Sequence, residues 1–172
     1  MERVPEVWID RERIAERVAQ LGAEIRAAYG PDTTLTVVGV LKGSFLFMAD
    51  LVRAIDGPVV CEFLGVSSYV GTHSSGAVMI TQDLKADVSG RHVVLVEDIV
   101  DTGLTLEYLR RTLEARNPAS LRVVALLDKP SRRKVQVQVD QVGFEIPDLF
   151  VVGYGLDLDQ LYRNLPYIGV FR

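Results

Sequence analysis

With 172 residues, 48% of them hydrophobic and 24% charged, the chain is long enough to bury one proper core and too apolar to be disordered. Its formal net charge of −4 argues against general nucleic-acid binding, and its apolar runs are strand-length, which argues against a membrane span. The opening Met1-Glu2-Arg3-Val4-Pro5-Glu6 lacks the order of a signal peptide, so a soluble cytoplasmic protein is expected. A lone cysteine, Cys61, stands in the apolar run Val59 to Phe63 and is expected in the core. His73 and His92 are far apart, which excludes a zinc-type cluster and leaves oxygen-bound metal as the expectation.

Asp10 ahead of Ile14, Val18, Leu21 and Ile25 predicts an N-capped helix ending near Tyr29-Gly30. Leu35 to Leu41 then reads as a strand running into Lys42-Gly43-Ser44 before an apolar helix, Phe45 to Ala54. A lysine and free amides at a strand-to-helix junction suit an anion, although a solvated helix-start lysine has the same pattern. No P-loop or dinucleotide-binding glycine fingerprint is present. Val59 to Val66 predicts another strand. The polar Ser67 to Gly76 stretch reads as a mobile loop containing His73, and Ala77 to Gln82 as the returning arm of a hairpin.

The most informative stretch is Val93-Val94-Leu95-Val96-Glu97-Asp98-Ile99-Val100-Asp101-Thr102-Gly103-Leu104-Thr105. Four apolar residues in a row predict a strand covered on both faces, and two adjacent acids predict that it emerges into water or a crevice at Glu97. Leu106, Leu109 and Leu113 then share one helical face, so residues 102 to 105 form a helix start with N–H groups free for a phosphate. Acids suit vicinal hydroxyls and a helix start suits a phosphate, and a ribose 5-phosphate offers both. Leu121 to Leu127 is a further buried strand, ending in Asp128-Lys129-Pro130, so lysine, acid pair and lysine all fall at strand ends along one edge. The triplet Arg132-Arg133-Lys134 reads as a solvated turn. Phe150 can stack on a planar base with the Val151 backbone at the base's edge, although a core phenylalanine fits the pattern equally. Asp157 and Arg163 add a candidate metal ligand and an anion-binding guanidinium.

The stretch from Val93 to Thr105 resembles the phosphoribosyl-pyrophosphate signature of the type I phosphoribosyltransferases. Leu41-Lys42-Gly43, Leu126-Leu127-Asp128-Lys129-Pro130 and the run from Gly143 to Asp157 are similar to the hypoxanthine-guanine branch in its short bacterial form. The resemblance extends from about Val7 to Val170. It implies one α/β domain over residues 1–172, with a mainly parallel central sheet flanked by helices, a lid hairpin at about 67–77 and a small hood built from the terminal segments. It also implies transfer of 5-phosphoribose from phosphoribosyl pyrophosphate to hypoxanthine, guanine or both, with magnesium, in purine salvage.

By the same resemblance Glu97, Asp98, Asp101, Thr102, Gly103, Leu104 and Thr105 bind the phosphoribosyl group, with Asp101 as acid–base residue. Lys42, Gly43, Arg163, Ser68 and Tyr69 bind pyrophosphate, and the Leu41–Lys42 peptide is expected to be cis. Lys129, Phe150, Val151 and Asp157 bind the purine, and Glu97, Asp98 and Asp157 hold the metal. Some relatives carry lysine where this chain has Leu104, so amides and hydroxyls alone would hold the phosphate. A homodimer or homotetramer is expected, with no nucleic-acid or membrane partner. The rival readings are a transferase for another base, adenine, orotate or uracil, of which Lys129 speaks against adenine, and an RNA-binding regulator on the same fold, disfavoured by net acidity and the set of Lys129, Phe150 and Asp157.

Overall fold

The computed structural model describes residues 4–68 and 78–171, with only the backbone of Ser68. Tyr69, His73 and most of the expected lid therefore lie outside the described residues.

Asp10 caps the first helix, α1 (Arg11–Tyr29), accepting from Arg13 N–H at 2.8 Å, and Ile14, Val18, Leu21 and Ile25 are buried along one face as the spacing predicted. The strands that follow are β2 (Leu35–Leu41), β3 (Val59–Ser68), β4 (Val78–Gln82), β5 (His92–Val100), β6 (Ser120–Asp128) and β7 (Gln141–Glu145). They form a six-stranded sheet in the order β4-β3-β2-β5-β6-β7, in which only β4 is antiparallel to its neighbour. The parallel neighbours β2 and β3 are joined by α2 (Phe45–Ala54), and β5 and β6 by α3 (Leu104–Glu114).

Side chains alternate across the sheet, so one continuous apolar run feeds two cores. Val94 and Val96 pack with α1 and α2 (Ile25, Phe47, Leu51), whereas Val93 and Leu95 pack with Leu106, Leu109 and Leu113 of α3. A second sheet is antiparallel and small, built from β1 (Glu6–Ile9), β9 (Ile168–Val170) and β8 (Val151–Val152) in the order β1-β9-β8. It brings both ends of the chain to the segment that carries Phe150 and Val151.

The expected burial of Cys61 is corrected: the side chain is exposed. Strand β4 pairs with β3 only from Gly65 onward, and Cys61 and Phe63 fall on the same side of the strand, with Phe63 38% exposed. Apolar composition indicated a strand there but did not say that a covering element was missing.

Candidate active site

The crevice arises from topology. Strand β2 leads through α2 to β3 on one side, and β5 leads through α3 to β6 on the other, so the strand order reverses between β2 and β5. The two helices lie on opposite faces of the sheet, and a cleft opens between the carboxyl ends of the diverging strands. The last β2–β5 pair is Gly39 with Val96. Beyond it β2 turns through a cis Leu41–Lys42 peptide into α2, while β5 continues beside β6 as far as Val100 and Asp128. Glu97 and Asp98 stand where β5 has lost its β2 neighbour. They do not end the strand, as the sequence suggested, and they line its opened flank.

Glu97 is 6% exposed, and burial followed by the charge of Asp98 holds its carboxyl well above the usual range. Burial likewise pushes Asp98 from 3.8 to about 6, against the pull of the Ile99 N–H, which donates to Asp98 Oδ1 at 2.7 Å, and of the Arg163 charge. A carboxyl that holds its proton more tightly folded than unfolded favours folding at low pH, and the benefit is lost as pH climbs from about 4 to about 6. The loss is about 3 kcal/mol for Asp98. Asp98→Asn is therefore expected to raise the thermal midpoint of the free protein at pH 7.5, with the advantage shrinking toward pH 4. A variant less stable than the parent at both pH values would contradict this cost.

The Lys42-Gly43 turn lies against Asp98. A Cβ on Gly43 would sit 1.6 Å from Asp98 Oδ2, and a Cβ on Gly155 would sit 2.1 Å from Gly43 O. The Gly43 backbone is thus held between an acid of β5 and the turn at Gly153-Tyr154-Gly155, whose residues all have positive φ. Tyr154 anchors that turn by donating its hydroxyl to Asp50 of α2 at 2.5 Å, an arrangement that with burial raises the tyrosine pKa. No role for Gly155 is legible in the sequence, because its importance is a close approach to a distant glycine. Arg163 donates to Gly155 O at 2.7 Å and pairs with Asp157 at 2.9 Å, and Gln160 N–H donates to the other Asp157 oxygen at 2.8 Å. Lys42 is exposed and reaches Gln160 Oε1 at 3.3 Å. The first turn of α2 lacks a side-chain cap, since Ser44 Oγ turns back to Val40 O at 2.7 Å.

The start of α3 is also uncapped by side chains, with Gly103 left-handed at φ 86°. Glu97, Asp101, Thr102, Gly103 and Thr105 contribute to a small concavity of about 90 Å³ there, sized for a compact anion and not for a base. Of Arg132-Arg133-Lys134, expected as a solvated turn, Arg132 and Lys134 are exposed, whereas Arg133 is half-buried and turned onto the loop. Arg133 donates to Val100 O at 3.0 Å and Asp101 O at 2.6 Å and pairs with Asp128, while Lys134 N–H donates to Thr102 O at 2.9 Å. These bonds engage the loop's carbonyls and fix its shape, while Leu104 N–H donates to Thr102 Oγ1 at a long 3.4 Å. Only the three-dimensional pairing reveals this function, because arginines in a polar segment read as solvated.

Lys129 is 7% exposed and lies 3.7 Å from Asp148, which also stands 3.5 Å from Arg132. Arg132 in turn donates to Asp101 Oδ1 at 3.1 Å. Phe150 is 59% exposed, so the core reading of this ring is discarded, and Val151 behind it is buried in β8. Leu104 is 37% exposed at the start of α3.

Among the described residues no three His, Cys, Asp or Glu side chains converge on a metal position. Magnesium does not need such a cage, because it binds through one or two carboxylates with waters and substrate oxygens completing the shell. Glu97, buried, and Asp98, half-buried, are consecutive carboxylates close enough for the charge of Asp98 to act on Glu97, which fits that demand, and Asp157 is near enough for its charge to act on Asp98.

Paired carboxylates beside two uncapped helix starts, at the switch point of a parallel sheet, define a protein that handles a phosphorylated sugar. The chain belongs to the phosphoribosyltransferase family: the model of the phosphoribosyl transferase domain matches residues 9–159. It is 54% identical to the hypoxanthine phosphoribosyltransferase of Haemophilus influenzae, over 95% of this chain and 93% of that one. It is 50% identical to the hypoxanthine-guanine phosphoribosyltransferase of Bacillus subtilis, over 98% and 94%. The crystal structure of a hypoxanthine-guanine phosphoribosyltransferase from Bacillus anthracis superposes with a TM-score of 0.93 at 40% identity, covering 99% of this chain and all of that one.

Proposed function

We propose that this chain transfers 5-phosphoribose from phosphoribosyl pyrophosphate to a six-oxopurine, hypoxanthine, guanine or both, releasing pyrophosphate in purine salvage. The observation that carries the reading is the pair of consecutive acids on β5: Asp98 is packed against Gly43 with no room for a methyl group, and Glu97 lines the concavity of residues 101–105.

Glu97 and Asp98 hold the ribose hydroxyls, and the amides and hydroxyls of residues 102–105 hold the 5-phosphate. Lys42, the Gly43 amide and Arg163 take the pyrophosphate, and Ser68 and Tyr69 complete this set. Glu97, Asp98 and Asp157 would hold magnesium, whose chemistry there is to neutralise the pyrophosphate oxygens. The purine stacks on Phe150, pairs with the Val151 backbone and lies near Asp157, and Lys129 donates to its oxo group. As the bond from C1′ to the pyrophosphate oxygen breaks, a bond from C1′ to N9 of the base forms, and the imidazole proton of the base passes to Asp101. The developing sugar cation needs charge stabilisation and positioning more than a covalent partner. No described helix is long and apolar enough to cross a membrane. The proposed setting is the cytoplasm, and the proposed assembly a homodimer or homotetramer.

Lys129→Ala tests the base assignment. The Michaelis constant for hypoxanthine is expected to rise at least about tenfold, as expected when a buried charged donor is lost, with that for phosphoribosyl pyrophosphate within twofold. The reverse pattern would give Lys129 to the sugar phosphate and remove the argument for an oxopurine.

A further inference from the structure

Asp101 is 42% exposed and accepts one hydrogen bond from a side chain among the described residues, from Arg132 Nε to Oδ1 at 3.1 Å. We infer that Arg132 is a positioning residue for Asp101, fixing the carboxylate through one oxygen so that the other faces the imidazole proton of the base. The inference rests on the acid–base reading of Asp101 above.

Several contacts fix the root of Arg132. Its N–H closes a tight turn onto Lys129 O at 3.0 Å, and Lys129 N–H donates to Val100 O at 2.9 Å. The adjoining Arg133 holds the carbonyls of Val100 and Asp101. The guanidinium and its carboxylate therefore spring from backbones bonded to each other, which lowers the entropy of holding the pair in one geometry. The far side of the same guanidinium lies 3.5 Å from Asp148 Oδ2, and Asp148 Oδ1 lies 3.7 Å from Lys129. Arg132 thus links the proton acceptor with the lysine assigned to the oxo group. A general base oriented by a third group is the usual arrangement where a proton must leave along one line. An exposed ion pair of purely structural origin would contribute little to stability and nothing to turnover.

The test measures steady-state turnover of Arg132→Met and Arg132→Lys, each made in the parent and in Asp101→Asn, with hypoxanthine, magnesium and phosphoribosyl pyrophosphate. In the parent, Arg132→Met is expected to lower kcat about tenfold with the Michaelis constant for phosphoribosyl pyrophosphate within twofold, and Arg132→Lys to recover part of the loss. In Asp101→Asn the same Arg132→Met change is expected to alter kcat less than twofold, since the group it positions is gone. An equal loss in both backgrounds, or no loss in the parent, would overturn the inference. Should Asp101→Asn alone turn over as fast as the parent, the acid–base reading itself fails and takes this inference with it; that outcome is visible without any Arg132 variant.

Discussion

Asp101→Asn is expected to lower kcat about a hundredfold or more while leaving both Michaelis constants within threefold. Asparagine keeps the shape of the side chain and its oxygen can still accept from Arg132 Nε, so the loop has no reason to move. The amide cannot take a proton, and the base must then leave its proton to water. Because the carboxylate meets Arg132 through Oδ1 only, the second oxygen is the one assigned to the substrate. Turnover within threefold of the parent would remove Asp101 from the proton path. A loss carried wholly by the Michaelis constant for phosphoribosyl pyrophosphate would make it a sugar ligand instead.

Gly43→Ala is expected to have the second large effect. The added carbon would lie 1.6 Å from Asp98 Oδ2 and 2.5 Å from its Cγ, inside any contact distance. The glycine cannot retreat, because its carbonyl already lies against Gly155, where an added Cβ would be 2.1 Å away. Either Asp98 swings out of its place or the Lys42-Gly43 turn is displaced, and a misplacement of about 1 Å near reacting atoms costs roughly a hundredfold. The expected result is a fall of that order in kcat/KM for phosphoribosyl pyrophosphate. Affinity for the purine side should survive, since Lys129 and Phe150 are held by β6 and β8 and not by this turn. An alanine variant with unchanged kcat/KM would mean that this turn does not touch the sugar pyrophosphate.

Most elements were legible because their periodicities are unambiguous. The 3.6-residue spacing from Ile14 to Ile25 and the apolar runs at 35–41, 93–96 and 121–127 each had one interpretation, and the structure places helix or strand there. Lys42, Glu97, Asp98 and Lys129 were legible as a set because parallel strands put their carboxyl-terminal portions at one edge, although β5 runs on past its acids to Val100. What escaped was information held in contacts between distant segments. Arg133 acts on carbonyls more than thirty positions earlier, Gly155 acts on Gly43, and the exposure of Cys61 depends on which element fails to cover β3. Glu97 stands at a crevice, one of the two surroundings expected of it, but by another route: the strand does not stop at the acids, its neighbour leaves it instead, and burial holds the carboxyl high.

The most direct measurement is pyrophosphate release with magnesium and phosphoribosyl pyrophosphate, offering hypoxanthine, guanine, xanthine, adenine, uracil and orotate in parallel. The expected result is release with hypoxanthine, guanine or both, and background with adenine, whose amino group cannot accept from the proposed Lys129 donor, and with uracil and orotate, which lack the imidazole ring whose proton Asp101 is proposed to take. Release with adenine or a pyrimidine in preference to the oxopurines would contradict the account of the base site, and no release with any of the six would contradict the enzyme.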